Sequence, residues 1–83
     1  MMLGGRWRRP LTCKEVKRIL KNLGFAPREQ KGTSHEQWVK DTDGRRWKVT
    51  VDCPKAPFSA ILISSMARQA GVSVRDFYRA LEK

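Results

Sequence analysis

The stretch SHEQWVKDTDGRRWKVTV, residues 34–51, contains two runs of alternating side chains on either side of Asp43-Gly44. A period of two is typical of β-strands. The dipeptide Asp-Gly is favoured in tight hairpin turns because it tolerates positive φ. We therefore predict two antiparallel strands, at about residues 34–41 and 45–51.

A two-residue turn also fixes which residues of this hairpin face each other. If Thr42 lies opposite Arg45, the pairing continues to Trp38 opposite Val49, and opposed residues share one face of a sheet. One face then collects the side chains that must turn to the core, namely Trp38, Trp47, Val49 and Val51. The other face carries His35, Gln37, Val39, Asp41, Arg46, Lys48 and Thr50. His35 is therefore predicted on the exposed face, and only a slip of one residue would bury it.

The residues before the hairpin predict a helix followed by an edge strand. Thr12 and Glu15 have the spacing of a capping box, and an apolar stripe follows at helical spacing, formed by Val16, Ile19, Leu20 and Leu23. Gly24 suits the left-handed position at which helices end. Residues 25–31 are predicted as a strand at the sheet edge, because Pro27 cannot donate to a strand ladder.

Two helices are predicted after the hairpin. The first covers residues 58–70, ends at Gly71, and turns Ile61, Leu62, Met66 and Ala70 inward. The second begins at Ser73 and turns Val74, Phe77, Tyr78 and Leu81 inward. The order α-β-β-β-α-α predicts an α+β fold, a three-stranded antiparallel sheet with helices on one face and the other face open. We divide the chain into a flexible basic arm, residues 1–10, and a single domain, residues 11–83.

Composition restricts the partners of this domain. Eighteen Lys and Arg against eight Asp and Glu give a formal charge of +10 in 83 residues, which favours contact with phosphate backbones. No apolar run predicts a membrane span or a signal peptide, so a cytoplasmic protein is expected. In that compartment Cys13 and Cys53 are predicted to remain reduced thiols. We expect no metal and no cofactor, because neither CxxC nor HxxxH spacing is present.

Several segments, taken in order, resemble HicA-type toxins of bacterial toxin–antitoxin pairs. They are Leu23-Gly24-Phe25, Gln30 to His35, Asp43 to Arg46, Ser64 to Ser73, and then Phe77. The resemblance covers about residues 11–82. It implies a fold like a double-stranded-RNA-binding domain, metal-independent cleavage of mRNA (an mRNA interferase), and a HicB-type antitoxin that covers the active surface. It also implies an essential histidine, which falls on His35; the family histidine commonly follows its glycine by two residues, whereas Thr33 makes the spacing three here.

The residues themselves support a proton-transfer role for His35. It is the only histidine in the chain, and imidazole is the side chain that exchanges protons near neutral pH. Glu36 is not a second catalytic group, because neighbouring strand residues point to opposite faces. We assign catalysis to His35 and stabilisation of the charged phosphorane to Lys48 and Lys31. The predicted RNA-binding residues are Lys31, Gly32, Ser34, Arg46, Lys48 and Lys14.

Two other functions remain open at this point. Met66 to Val74 reads like the turn of a DNA-binding helix-turn-helix, although Phe77, Tyr78 and Leu81 of the following helix are needed in the core. A double-stranded-RNA binder without catalysis shares every feature except a reason for His35.

Overall fold

The structure, a computed structural model, describes residues 9–28 and 35–82. Helix α1 spans Cys13–Asn22 and is followed by strands β1 (Ala26–Arg28), β2 (His35–Thr42) and β3 (Arg45–Asp52). A 3₁₀ turn, Cys53–Lys55, leads to helices α2 (Ala60–Ala70) and α3 (Val74–Arg79), and a last 3₁₀ turn covers Ala80–Glu82. Three antiparallel strands with three helices confirm the predicted α+β fold.

The hairpin has the predicted register. Thr42 pairs with Arg45 and Trp38 pairs with Val49. Asp43 and Gly44 have φ values of 51° and 73°, as a tight turn with two left-handed residues requires. Trp38, Val49 and Val51 are buried and Trp47 is half-buried, so the tryptophan face is the core face.

Strand β1 lies at the sheet edge, because the strand order is β1-β2-β3. Pro27 is opposite Trp38 in this strand, which confirms the prediction that its proline is tolerated at an edge. The strand begins at Ala26, one residue later than predicted, and is described to Arg28. The remaining predicted positions, 29–31, lie outside the described residues.

Helix α1 begins and ends as predicted. The Thr12 hydroxyl accepts from the Glu15 backbone N–H, and the Glu15 carboxylate accepts from the Thr12 N–H, which completes the capping box. Arg9 also contacts this carboxylate at 2.9 Å, and together these hydrogen bonds hold the pKa of Glu15 below its ordinary value. Arg9 and Pro10 are the only residues of the predicted arm that the structure describes, since residues 1–8 lie outside the described ranges.

Helix α2 has a different inward face from the one predicted. It begins at Ala60 with Ser59 as its N-cap, while Phe58 instead forms an isolated bridge with Leu11. The buried stripe is Ile63, Met66, Ala67 and Ala70, which has the i, i+3, i+4, i+7 spacing of a helix face. The inward placement of Ile61 was wrong, because its side chain is on the opposite side of the helix and 80% exposed. Val74 of α3 is also exposed, whereas Phe77 and Tyr78 are buried as predicted.

The prediction that the two cysteines stay separate thiols was wrong. The structure joins Cys13 to Cys53 in a disulfide, with their Cα atoms 5.2 Å apart, within the range that such a bond accepts. The fold brings the start of α1 next to the end of β3, a contact across 40 positions of sequence. Local sequence patterns contain no signal for such a contact.

Candidate functional site

His35 and Asp52 form the last rung of the hairpin, at the end opposite to its turn. The two residues face each other across β2 and β3, and the His35 Nε2 atom lies 3.1 Å from Asp52 Oδ2. The imidazole is 54% exposed, whereas the carboxylate is only 18% exposed. The imidazole ring is therefore accessible to solvent, whereas the Asp52 carboxylate beside it is largely shielded.

A cavity of about 200 Å³ opens beside this pair. Its wall is formed partly by Asp52 and Lys55 at the end of β3 and in the following turn, and partly by α2, which covers the outer edge of β3. Gln69 of α2 fastens the two elements together, because its Oε1 atom accepts a hydrogen bond from the Thr50 backbone N–H at 3.1 Å. The other lining residues are His35, Phe58, Leu62, Ser65 and Met66.

The opposite end of the exposed face carries the predicted phosphate-binding residues Arg46 and Lys48. Lys48 pairs with Val39, four residues along β2 from His35, which corresponds to roughly 13 Å along the strand. Arg46 donates hydrogen bonds of 2.8 and 3.1 Å to Asp41, and the guanidinium lowers the pKa of that carboxyl. Lys48 is thus on the same face as His35, and the charge of Arg46 is partly balanced by its neighbour.

Of the remaining predicted residues, the structure describes only Lys14, and Lys14 is not on this face. Lys14 is on α1, in a groove that it shares with Arg18 and Leu81, and α1 covers the core face of the sheet. Lys31, Gly32 and Ser34 lie outside the described residues.

Glu36, next to His35 in β2, points to the helix side, as predicted from strand alternation. Its Oε2 atom is 2.9 Å from Lys17 Nζ of α1. Its other oxygen accepts from Trp38 Nε1 at 3.2 Å. The Lys17 hydrogen bond lowers the pKa of Glu36, so this carboxylate is committed to holding α1 against the sheet.

Three residues of the cavity were not identified from the sequence. Asp52 could have been found, because continuing the predicted register by one rung past Val51 places it opposite His35. Lys55 follows Pro54 in the turn after β3. The sequence pattern there predicts a loop and does not indicate that Lys55 lines a cavity. Gln69 is polar at a position that the predicted α2 left outside, and its place over Thr50 depends on tertiary packing.

The His35–Asp52 pair can transfer a proton to or from a substrate, and Lys55 can stabilise negative charge that develops on that substrate. A carboxylate only accepts hydrogen bonds, so a ring with a hydrogen on Nε2 can donate to Asp52 Oδ2 across the 3.1 Å between them and be oriented by it. Such a carboxylate also stabilises the imidazolium that forms when the ring accepts a proton in a reaction. Lys55 adds a positive charge to the same cavity, where a developing anionic oxygen would be stabilised.

Within the described ranges, no group of three or more His, Cys, Asp or Glu residues could hold a metal ion. None of the helices in this part of the chain is long and apolar enough to cross a membrane.

Comparisons with known proteins identify the family. The family model of the HicA toxin of bacterial toxin–antitoxin systems matches residues 13–72, a segment that includes the whole sheet, the His35–Asp52 pair and α2. The searches of curated proteins and of solved structures gave no match. Because the family match covers well over half of the chain, the protein belongs to the HicA toxins of bacterial toxin–antitoxin systems.

Proposed function

We propose that this toxin is a metal-independent endoribonuclease that cleaves mRNA in the cytoplasm with His35 as its proton-transfer group. The observation that carries the proposal is the His35–Asp52 pair, exposed at the end of a basic sheet face with Lys55 in the same cavity. An imidazole oriented by a carboxylate is a recurrent device for activating a hydroxyl. In RNA that hydroxyl is the ribose 2′-OH next to the scissile phosphate.

The reaction follows from these positions. His35 takes the proton of the 2′-hydroxyl as its oxygen attacks the adjacent phosphorus. The bond from phosphorus to the 5′-oxygen breaks, which leaves a 2′,3′-cyclic phosphate and a 5′-hydroxyl end. The imidazolium, stabilised by Asp52, supplies the proton that the departing 5′-oxygen takes up. Lys55 stabilises the charge on the phosphorane.

Further contacts to the RNA come from charge on the exposed face. Lys48 and Arg46 would hold phosphates farther along the strand, and Lys31, Gly32 and Ser34 precede His35 in sequence. Lys14 would serve a second, weaker contact on α1. Contacts of this kind carry little base specificity and weaken with salt.

The test compares purified wild type with His35→Ala and Asp52→Asn on a defined RNA. We expect His35→Ala to lower the cleavage rate by about 10²–10⁴-fold, and Asp52→Asn to lower it less, because the ring remains but loses its orientation. Asp76→Asn, in the first turn of α3, is a control with the same change in charge as Asp52→Asn and should cleave normally. An RNA with a 2′-deoxy sugar at the cleaved position should resist wild type.

Full cleavage by folded His35→Ala would refute the assignment. Inducible expression of the same variants adds a cellular measurement: wild type should stop growth and degrade mRNA, and His35→Ala should do neither.

The competing helix-turn-helix function has less support. The would-be recognition helix α3 has only six residues, and Phe77 and Tyr78 among them are buried, so few side chains could reach base edges. A double-stranded-RNA binder without catalysis remains the runner-up, and the cleavage assay separates it from the proposal.

The family implies a cognate antitoxin, and we propose a HicB-type protein that covers the face carrying His35. Burying that ring and neutralising the basic surface around it would block RNA. The bound complex should therefore lose cleavage activity in the assay described above, and recover it when the antitoxin is removed.

A further inference from the structure

We propose that the cavity beside the His35–Asp52 pair binds one nucleobase next to the scissile phosphate and prefers guanine and uracil, which carry the carbonyls O6 and O4 where adenine and cytosine carry amines. This inference rests on the proposed ribonuclease function and extends it to substrate selection. It depends on the shape of the cavity, on its apolar wall and on which of its hydrogen-bonding groups are already used.

The wall of the cavity suits a flat ring. Phe58, Leu62 and Met66 supply its apolar part, and Phe58 and Met66 are almost completely buried, so their positions are fixed by the core. Aromatic and thioether groups make favourable contacts with rings. The volume of about 200 Å³ is below the range of about 300–1,000 Å³ usual for drug-sized ligands. It therefore fits one ring system rather than a longer stretch of RNA.

Three acceptor oxygens of the cavity already have partners within the protein. Gln69 Oε1 accepts from the Thr50 backbone N–H at 3.1 Å, and Thr50 Oγ1 accepts from Gln37 Nε2 at 3.1 Å. Asp52 Oδ2 lies 3.1 Å from the imidazole of His35. A base that offers hydrogen-bond donors, such as the exocyclic amines of adenine and cytosine, would have to compete with these bonds.

The cavity also contains hydrogen-bond donors that are not used within the described part of the protein. Among residues 9–28 and 35–82, no atom accepts a hydrogen bond from the Gln69 amide nitrogen, although its oxygen is fixed by Thr50. The amide is thus held by its oxygen, and Gln69 is one of the residues that line the cavity. Ser65 adds a hydroxyl, and Lys55 adds an ammonium group for the phosphate or the base edge. Donors match the O6 atom of guanine and the O4 atom of uracil, at the position where adenine and cytosine carry an amine.

The first test measures cleavage of short DNA strands that contain a single ribonucleotide. The lone 2′-hydroxyl fixes the cleaved bond, and the bases on both sides of it are varied through all four identities. We expect roughly tenfold faster cleavage when guanine or uracil occupies one flank, which is the effect of about one hydrogen bond. Equal rates across the whole set would overturn the inference while leaving the ribonuclease function intact.

The decisive variant is Gln69→Glu. A glutamate keeps an oxygen for the Thr50 N–H and replaces the donor by an acceptor, so the preference for guanine and uracil should disappear or shift to adenine and cytosine. Arg68→Gln is the matched control: it lowers the net charge by the same one unit at the adjacent position. Arg68 is not among the lining residues of the cavity and lies in a neighbouring groove with Ile61 and Ser64. This control should bind RNA more weakly and keep the base preference. An unchanged preference in Gln69→Glu would refute the role of the amide.

A second test does not depend on cleavage. Wild type is titrated with the four 2′-deoxynucleoside 3′-monophosphates, and NMR follows the Gln69 side-chain amide and the Met66 methyl group. The guanine and uracil compounds should shift both signals at lower concentrations than the adenine and cytosine compounds. If no RNA is cleaved but this selectivity is present, the catalytic proposal fails and the base site stands; if neither signal moves, the base site is refuted.

Discussion

Replacing Gly71 by alanine should destabilise the fold far more than the same change at Gly44. Both glycines have left-handed backbones, with φ of 78° and 73°, and an alanine in that region costs about 1–2 kcal/mol. Only Gly71 is also crowded. A Cβ atom there would lie 2.6 Å from Cζ3 and 2.8 Å from Cη2 of Trp47, whereas a Cβ at Gly44 would meet nothing within 4 Å.

The two costs can be added for Gly71. Forcing a methyl group into a filled space costs about 1–3 kcal/mol, so Gly71→Ala should lose about 2–5 kcal/mol of unfolding free energy, against about 1–2 kcal/mol for Gly44→Ala. Moving the Trp47 ring away from the new methyl group would disturb its cation–π contact with the Arg45 guanidinium, which lies 4.0 Å from the ring centroid. For a domain of this size, each kcal/mol corresponds to roughly 4–8 °C in melting temperature.

Urea denaturation followed by far-ultraviolet circular dichroism measures both free energies. A double-mutant cycle then isolates the ring: in a Trp47→Leu background the two glycine substitutions should cost nearly the same, since the crowding atoms are gone. Equal costs in the wild-type background would refute the close approach of Trp47 to Gly71. An excess cost at Gly71 that persisted with Trp47→Leu would assign it to the backbone alone.

Three further outcomes are expected. The pKa of Glu15 is lowered by its hydrogen bond to Arg9, so this bond stabilises the fold above the unfolded-state pKa, and the contribution is lost as pH falls through the folded-state pKa. Glu15→Gln should therefore lower the urea midpoint at pH 7, and the difference from wild type should shrink as the pH is lowered. The disulfide between Cys13 and Cys53 closes a loop across 40 positions. Reducing it, or replacing both cysteines by serine, should therefore lower the unfolding free energy measured with urea by about 4 kcal/mol. Unchanged stability in the presence of a reductant would contradict the disulfide. Lys48→Ala should weaken RNA binding similarly for all sequences and reduce the salt slope of log K by about one, whereas an unchanged slope would exclude a phosphate contact.

The sequence predicted the central hairpin correctly because its information is local. Asp43-Gly44 determines the turn, the turn determines the register, and the register places His35 on the face opposite Trp38. The same logic would have reached Asp52 had the strand been continued by one residue. For features that depend only on pairing between adjacent strands, side-chain alternation and the turn residues were sufficient for a correct prediction.

Features that depend on distant packing were not accessible in this way. The phase of α2 is set by Ser59 as N-cap and by the bridge from Phe58 to Leu11, so a residue as apolar as Ile61 is left outside. The helix periodicity alone allowed either face. The placement of Lys55 and Gln69 in one cavity likewise requires knowing how α2 lies along β3.

The location of the site within the sheet explains how an exposed imidazole and its carboxylate partner can be held for chemistry. His35 and Asp52 occupy the end of the hairpin where three neighbouring positions are bound to other elements. Glu36 is paired with a lysine of α1, Thr50 is bonded to a glutamine of α2, and Cys53 is linked to the first residue of α1. Catalytic geometry tolerates little displacement, and these links restrain both strands on either side of the pair. Toward the turn, the side chains of Arg46 and Lys48 are exposed, which suits phosphate contacts that need charge more than fixed position. Breaking the link from Gln69 should therefore impair cleavage more than it impairs RNA binding, whereas neutralising Lys48 should have the opposite effect.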